Sequence, residues 1–593
     1  MPLAYQPYLV LGVIAILFFL IYLELLKPAV SFLLATLIFV IFGIIGTKDV
    51  LAGFANSSIA SIILMILITA SLRKNFRFDT LFNYIFRNTR FYRVFLLKMM
   101  ALVGFLSSFI PNTPVVALMT PFVYDFGKKN RIAPSKLLIP LSYATIMGGM
   151  MTLIGTSTTL VLNGFMSDQG IQGLQVRDLF ITGLLVSISG ILFMTYIASR
   201  LLPNHSDSIQ DFSINQRQYL VETLLTSNSR LIGKNIKEAG LRNLQGVYLV
   251  EIERMGRMIS PVEPEEVIEN DDILIFAGDT DNIMDLIDRN MGLKLPEKAH
   301  EYRQDKNEVI EVVVSANSNM IGKTVKECRF RQRYDAAIIA VHRNGERISG
   351  KIGNIRLKTS DVLLLYSGSD FQNRVDTYRD IYVISKIREI ADPGRKKYMA
   401  FALIAILAII LFITKGLELF PSLLIIFSIF VGFGMLNSQD IRRELDLNMV
   451  GLLVFSLALG NAMVSSGTGD IIARWMIGAL SPYGTIGILI AILIVTSILT
   501  QFIVNVGAIS VIFPVTYALC SDLGINGTPF YIAIAFAASG AFLTPMGYQT
   551  NMIIYGPGGY NFRDFFKIGL PVLIVYDTVV FLTLLMLYHN ILL

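Results

Sequence analysis

Long apolar runs alternate with short polar breaks over residues 1–201 and again over 397–593, and a charged stretch separates the two regions. A membrane span needs about 20 apolar residues. On that measure the first region predicts spans near 7–26, 28–46 and 53–72, a hairpin-like segment near 95–124, a broken span near 137–165 and a full span near 178–201. The second predicts spans near 398–414, 418–436 and 447–467, a hairpin near 484–519, a broken span near 529–556 and a last span near 568–591. The first helix is followed by no A-x-A-like cleavage site and reads as an anchor. The pattern predicts a polytopic α-helical membrane protein in four parts: a membrane half over 1–205, soluble modules over 206–300 and 301–390, and a second membrane half over 391–593.

The two hairpins carry one motif twice. FIPNTPVVALMTPFVY runs from Phe109 to Tyr124, and FIVNVGAISVIFPVTY from Phe502 to Tyr517. The Phe, Ile, Asn, Pro and Tyr coincide. Each copy is followed by an uncharged, Gly-rich break, Gly148 to Gly164 and Ala538 to Gly556. Asn112 precedes Thr156 by 44 residues, and Asn505 precedes Tyr548 by 43. Interrupted apolar segments at matching places in two halves point to a transporter substrate site.

The soluble region is also a repeat. SNSRLIGKNIKEAGLRNLQGVYLVEIERMGRMIS begins at Ser227 and ANSNMIGKTVKECRFRQRYDAAIIAVHRNGERIS at Ala316, an offset of 89 residues. Alternation and β-branched residues in GVYLVEIER, AAIIAVHRN, NDDILIFAG and TSDVLLLYSG predict strands. The two α+β modules resemble TrkA-C (RCK C-terminal) domains. No G-x-G-x-x-G turn accompanies them, so NAD is not expected.

Composition fits a membrane protein: 54% of residues are hydrophobic and 16% charged, against about 25% charged in soluble chains. Cys328 and Cys520 are far apart and form no metal or redox spacing. Of the basic residues, Arg73, Lys74, Arg77, Arg87, Arg90 and Arg93 follow the third span, and Lys128, Lys129, Arg131 and Lys136 follow the first hairpin. Arg442, Arg443, Arg563 and Lys567 occupy equivalent loops of the second half, whereas the alternate loops hold only Lys48, Arg177, Lys415 and Arg474. The positive-inside rule then places 206–390 in the cytoplasm and both termini outside, with the halves entering a cell membrane in opposite senses.

Asn112 and Asn505 sit in the apolar hairpins with a hydroxyl five residues earlier, Ser107 and Thr500. A side-chain amide presents an acceptor and two donors, so it can face a cation on one side and an anion on the other. Hydroxyls and exposed carbonyls suit a hard cation. A lone Asn in a membrane helix is usually interhelical glue; the duplication of Asn, hydroxyl and second break favours a site. No Lys, Arg, Asp or Glu lies in either hairpin core or broken span. Asp577, inside the last span, is a candidate proton site or a structural hydrogen-bonding group.

With FLTPMGYQTNMIIYGPGGYNFRDF (Phe542 to Phe565) and LIGTST (Leu153 to Thr158), the chain resembles the divalent anion/Na⁺ symporter family, in the branch where two TrkA-C domains interrupt the membrane fold. The resemblance implies an inverted-repeat, elevator-type homodimer in the lipid membrane that moves sulfate or a related anion with Na⁺. It implies a sodium site from Ser107, Asn112 and the Gly155 backbone, and another from Thr500, Asn505 and the Gly547 backbone. Asn112, Thr113, Thr156, Asn505 and Tyr548 would face the anion. The family has Ser-Asn-Thr at both tips, where this chain has Pro111-Asn112-Thr113 and Val504-Asn505-Val506, and Thr159 replaces an Asn that Asn551 retains in the second half. Fewer hydroxyls favour a compact oxyanion, sulfate above all, over a succinate-like dicarboxylate, and leave proton coupling as an alternative. The modules are expected to regulate or assemble the transporter, with a small nucleotide-type ligand as a candidate. A potassium channel would need four Gly-rich filter loops, and an anion sensor would need a signalling motif; neither is in the sequence. No catalytic constellation or nucleic-acid motif is present either.

Overall fold

The computed structural model describes residues 5–22, 26–75, 91–205 and 419–592, most of 220–278, 292–294 and 309–384, and also 82, 84–87 and 89. The span expected at 398–414 lies outside these residues, as do Arg77 and Arg90.

The first half contains α1 (Gln6–Tyr22), α2 (Pro28–Ile41), α3 (Thr47–Ala55), α4 (Ser57–Asn75), α5 (Tyr92–Ser107), α6 (Asn112–Lys129), α7 (Leu138–Gly149), α8 (Ser157–Asp168) and α9 (Val176–Tyr196). After the soluble region, which includes the short α10 (Phe330–Tyr334), come α11 (Leu419–Gly432), α12 (Ser438–Glu444), α13 (Leu447–Ser465) and α14 (Thr468–Leu480). The chain continues through α15 (Gly484–Phe502), α16 (Asn505–Leu523), α17 (Thr528–Ser539), α18 (Gln549–Tyr555) and α19 (Phe562–Leu587). Among the described residues, six helical segments are long and apolar enough to cross a membrane.

Each motif copy turns between two helices: α5 into α6 at Pro111, and α15 into α16 at Val504. Each broken span is two half-helices, α7 with α8 and α17 with α18, separated by irregular backbone. The first hairpin packs on α7, the second on α17, and α9 lies against α19. Some boundaries differ from the sequence reading. The third span was expected from residue 53, but the chain breaks at Asn56, whose side-chain oxygen accepts from Ser58 N and Ile59 N and so starts α4 afresh. The last span was expected from 568 but begins at 562, where Asn561 N donates to Asp564. α14 was not expected; its run is too short and mixed to register as a span.

The soluble region forms two antiparallel five-stranded sheets. The first contains β1 (Leu220–Leu225), β2 (Val247–Arg254), β3 (Arg257–Ile259), β4 (Ile273–Gly278) and β5 (Leu293–Lys294) in the order β3-β2-β4-β1-β5. The second contains β6 (Val309–Val314), β7 (Ala336–Arg343), β8 (Glu346–Arg347), β9 (Val362–Ser367) and β10 (Ile381–Val383) in the order β10-β6-β9-β7-β8. These are the same topology read from opposite edges. Even the bulge repeats, between Leu249 and Glu251 and between Ile338 and Ala340. Each module pairs an arginine with a buried aspartate: Arg254 Nε with Asp272 at 2.8 Å and Arg343 Nε with Asp361 at 2.7 Å. Hydrogen bonding to those carboxylates raises both guanidinium pKa values. Ile275, Ala337, Ile339, Leu364 and Tyr366 form an apolar cluster joining the modules, and Tyr366 donates to Glu251 at 2.7 Å.

The hairpin–broken-span contact depends on close backbone approach. A Cβ at Gly148 would run into the backbone of Gly104, whereas one at Gly104 would meet the Ala144 carbonyl at 3.5 Å, an ordinary contact. Small residues of this kind let membrane helices meet. Gly148→Ala should therefore destabilise the purified protein by ~1–3 kcal/mol through overpacking, read as a lowered midpoint of thermal unfolding, while Gly104→Ala should leave the midpoint nearly unchanged. Equal midpoints for the two variants would contradict the packing described.

Candidate functional site

A half-helix that ends inside a membrane leaves its last carbonyls without helical partners. α7 and α17 both end among buried residues of the helical bundle, and each meets the tip of its hairpin. At the first tip the inward-facing atom of the Asn112 amide contacts Ser107 Oγ, Thr145 O at 2.9 Å and Gly155 O at 3.2 Å. At the second, the equivalent atom of Asn505 lies 3.0 Å from Thr500 Oγ1 and 3.2 Å from both Ala538 O and Gly547 O. Thr145 lies in the last turns of α7, and Ala538 in the last turn of α17. The clusters match position for position.

The amide has two settings. With nitrogen inward it donates to the surrounding oxygens. With oxygen inward it completes a cluster of oxygens in which the hydroxyl of Ser107 or Thr500 is the sole donor. Such a cluster suits a hard cation, since its ligands are amide, hydroxyl and carbonyl oxygen. Among the described residues, no group of His, Cys, Asp and Glu forms an alternative metal centre.

Both clusters are held by a Thr-x-x-Gly turn. Thr152 Oγ1 donates to Ser108 O and accepts from Gly155 N. Thr544 Oγ1 donates to Gln501 O at 2.7 Å and accepts from Gly547 N at 3.0 Å. Space favours both glycines: a Cβ at Gly155 would strike the Ser107 carbonyl, and one at Gly547 would sit tightly, 3.0 Å from the Thr500 carbonyl. Gln501 adds a brace in the second half, donating to Gly540 O at 2.9 Å and accepting from Leu543 N at 2.9 Å.

The halves are cross-linked. Tyr548, from the second break, has its hydroxyl 2.7 Å from the outward amide atom of Asn112 and 3.3 Å from Thr156 Oγ1. Thr158, from the first break, lies 3.4 Å from Asn505 Nδ2 and 3.0 Å from Thr156 Oγ1. Thr113 Oγ1 donates to Gln549 at 3.2 Å. One hydrogen-bonded chain thus runs from Ser107 through Asn112, Tyr548, Thr156, Thr158 and Asn505 to Thr500.

A cavity of 1380 Å³ opens on this chain, and Asn112, Thr113, Gly155, Thr156, Asn505, Gly547 and Tyr548 all line it. Ser107 and Thr500 are fully buried behind the two asparagines. Asp577 is not on the cavity wall; it accepts from Ser497 at 3.1 Å, one helical turn before Thr500. The cavity's charged residues, among them Lys27, Lys74, Lys323, Asp440 and Glu444, come from loops, helix ends and the second module. Sequence reasoning missed Thr145, Ala538, Thr158, Gln501 and Gln549. The repeated Thr-x-x-Gly at Thr152 and Thr544 was a usable signal for the clamps.

Comparison with known proteins agrees with a transporter. A family model described as citrate transporter (CitMHS) matches residues 18–414 and 409–593. An uncharacterized transporter of Synechocystis sp. is 29% identical over 96% of this chain and 95% of its own length. A putative sulfur deprivation response regulator of Chlamydomonas reinhardtii is 30% identical over 89% of this chain and 93% of its own. Sodium/sulfate cotransporter 1 of the same alga is 20% identical over 88% and 82%. With apolar helices long enough to cross a membrane several times and a family match along nearly all its length, the chain belongs to the citrate transporter (CitMHS) family of membrane transporters rather than to any class of enzyme.

Proposed function

We propose that the protein is a sodium-coupled secondary transporter of a small divalent oxyanion, sulfate foremost, with one central site built from both membrane halves. The carrying observation is the pair of matched oxygen clusters joined through Asn112–Tyr548 and Asn505–Thr158 to a single cavity. The names of the sodium/sulfate cotransporters support the choice of ions.

Coupling follows from the two-sided amide. A cation in the first cluster draws the Asn112 oxygen inward and turns its nitrogen toward Tyr548. The Tyr548 hydroxyl then accepts from the amide and keeps its own proton free to donate to an anion. Without the cation the amide nitrogen serves the cluster, and the Tyr548 hydroxyl donates to the amide oxygen instead. At the second cluster, an Asn505 oxygen drawn inward likewise turns the amide nitrogen toward Thr158. First-turn residues of α6, α8 and α16 also line the cavity, and helix N-termini carry partial positive charge. The anion is thus held without an arginine or lysine, and it loses affinity when the cations leave.

The halves act as an inverted repeat in an elevator-type, dimeric assembly, with the TrkA-C-like modules on the cytoplasmic side, as the positive loops indicate. A second reading, proton coupling, rests on Asp577 one turn from the second cluster.

Proteoliposomes should take up labelled sulfate under an inward sodium gradient, with succinate a poor competitor. Block by succinate would instead assign a dicarboxylate substrate. Asp577→Asn should retain sodium-driven uptake; a variant that loses uptake driven by a pH gradient would transfer the coupling to protons.

Asn112→Ala and Asn505→Ala should each lower sodium-driven uptake about 10- to 100-fold, the scale of 1.5–3 kcal/mol lost at a charged group, with thermal unfolding little changed. Wild-type uptake by either folded variant would remove the site assignment.

A further inference from the structure

The second soluble module grips the two arms that carry the candidate site. α6 begins at Asn112 and ends at Lys129; α18 follows Tyr548 and ends at Tyr555. At the far end of α6, Lys128 lies 3.5 Å from Glu311 of β6. Along α18, the Met552 carbonyl accepts from Ser360 Oγ at 2.7 Å. Immediately after it, Gly556 presses so closely on the Ser360 carbonyl that a Cβ would collide, with Val362 Cγ2 at 2.9 Å. Val313 and Val362 belong to the same apolar core as the membrane helices. The module also roofs the cavity: Ser318, Asn319, Lys323 and Thr359 share its wall with Lys27, Lys74 and Asp440 of the surrounding helices and loops.

The first module supplies an internal control. Its residue at the position of Ser360, 89 residues earlier, is Asp271. Both residues occupy a left-handed backbone turn, with φ of +67° and +65°. Asp271 is exposed, whereas Ser360 is buried against α18. The turn therefore accommodates aspartate, but a carboxylate at 360 would face the Met552 carbonyl.

We propose that the second module is an autoinhibitory brake: docked on α6 and α18, it holds the site open toward the modules, and each transport cycle requires its release. The proposal rests on the alternating-access reading above. An arm gripped at its far end cannot carry its near end across the membrane unless the grip moves or lets go.

The test reads site exposure without any solute. A Thr113→Cys reporter is placed in a Cys328→Ala, Cys520→Ala background and reconstituted. A membrane-impermeant maleimide is then applied from the module side or from the opposite side. With the brake intact, the reporter should label from the module side almost exclusively. Adding Ser360→Asp should raise labelling from the opposite side by roughly fivefold or more, the effect of losing one hydrogen bond. Lys128→Glu, which sets a like charge against Glu311, should act in the same direction and decides the matter if Ser360→Asp fails to fold. Unchanged labelling in the folded variants, or free labelling from both sides before substitution, would overturn the brake. Absent sulfate uptake would count against the proposed substrate and leave this result standing.

Discussion

Backbone carbonyls that leave regular helix within an apolar span need partners, and that need is the constraint on which the site depends. Ala538 O, at the end of α17, takes a hydrogen bond from Thr500 Oγ1, and the carbonyls of Gly155 and Gly547 belong to the irregular breaks. The structure brings each set to one asparagine, so Thr145 and Gly155 converge on Asn112, and Ala538 and Gly547 on Asn505. An amide that can offer either end is suited to a place that alternately holds and lacks a cation. Its neighbours follow from the same need: glycines 155 and 547 because the carbonyls must approach the hairpin, and threonines 152 and 544 because the unwound turns must be pinned.

The absence of fixed charge in this network has a cost and a use. A buried arginine would bind a dianion strongly, but its own charge would have to be kept paired through every stage of the cycle. Dipoles, hydroxyls and amides are neutral and tolerate both the loaded and the empty site. Their attraction is modest, roughly 0.3–2 kcal/mol for a helix N-terminus, so several must converge; under the proposed function the cations supply the rest, and coupling lies in the affinity itself.

Much of this was legible in the sequence because it was written twice. Asn112 with Ser107, and Asn505 with Thr500, stand out only by their repetition, and the structure brings each pair into contact. The oxygens of Thr145 and Ala538 were not legible, because a carbonyl ligand leaves no side-chain signature and any residue could supply it. Thr158 and Gln549 reach across from the opposite half, a relation that depends on how the halves pack. The break at Asn56 is a short polar step, Asn56-Ser57-Ser58, inside a long apolar run that reads as one span; the capping bonds to Ser58 and Ile59 show that it starts a new helix. The amphipathic α14 fell below the length by which spans are recognised. In the modules the strands were clear from alternation, whereas their mutual packing through Ile275, Ile339 and Leu364 was not.

Where two copies of a fold diverge, the difference marks what each copy does beyond folding. In the membrane halves one such divergence falls at Asn551 and Thr159. Asn551 ties its break to Ala541 O and Thr544 O and accepts from Ser142 of the first half, while the buried Thr159 hydroxyl has no hydrogen-bond partner among the described residues. The second break is therefore the more firmly braced, and it is the one whose arm the second module holds. In the modules the divergence falls at Asp271 and Ser360, one facing solvent and the other α18. Rigidity near Tyr548 and attachment beyond it belong to the same arm: a stiff α18 transmits a load from module to site, which a loose one would absorb.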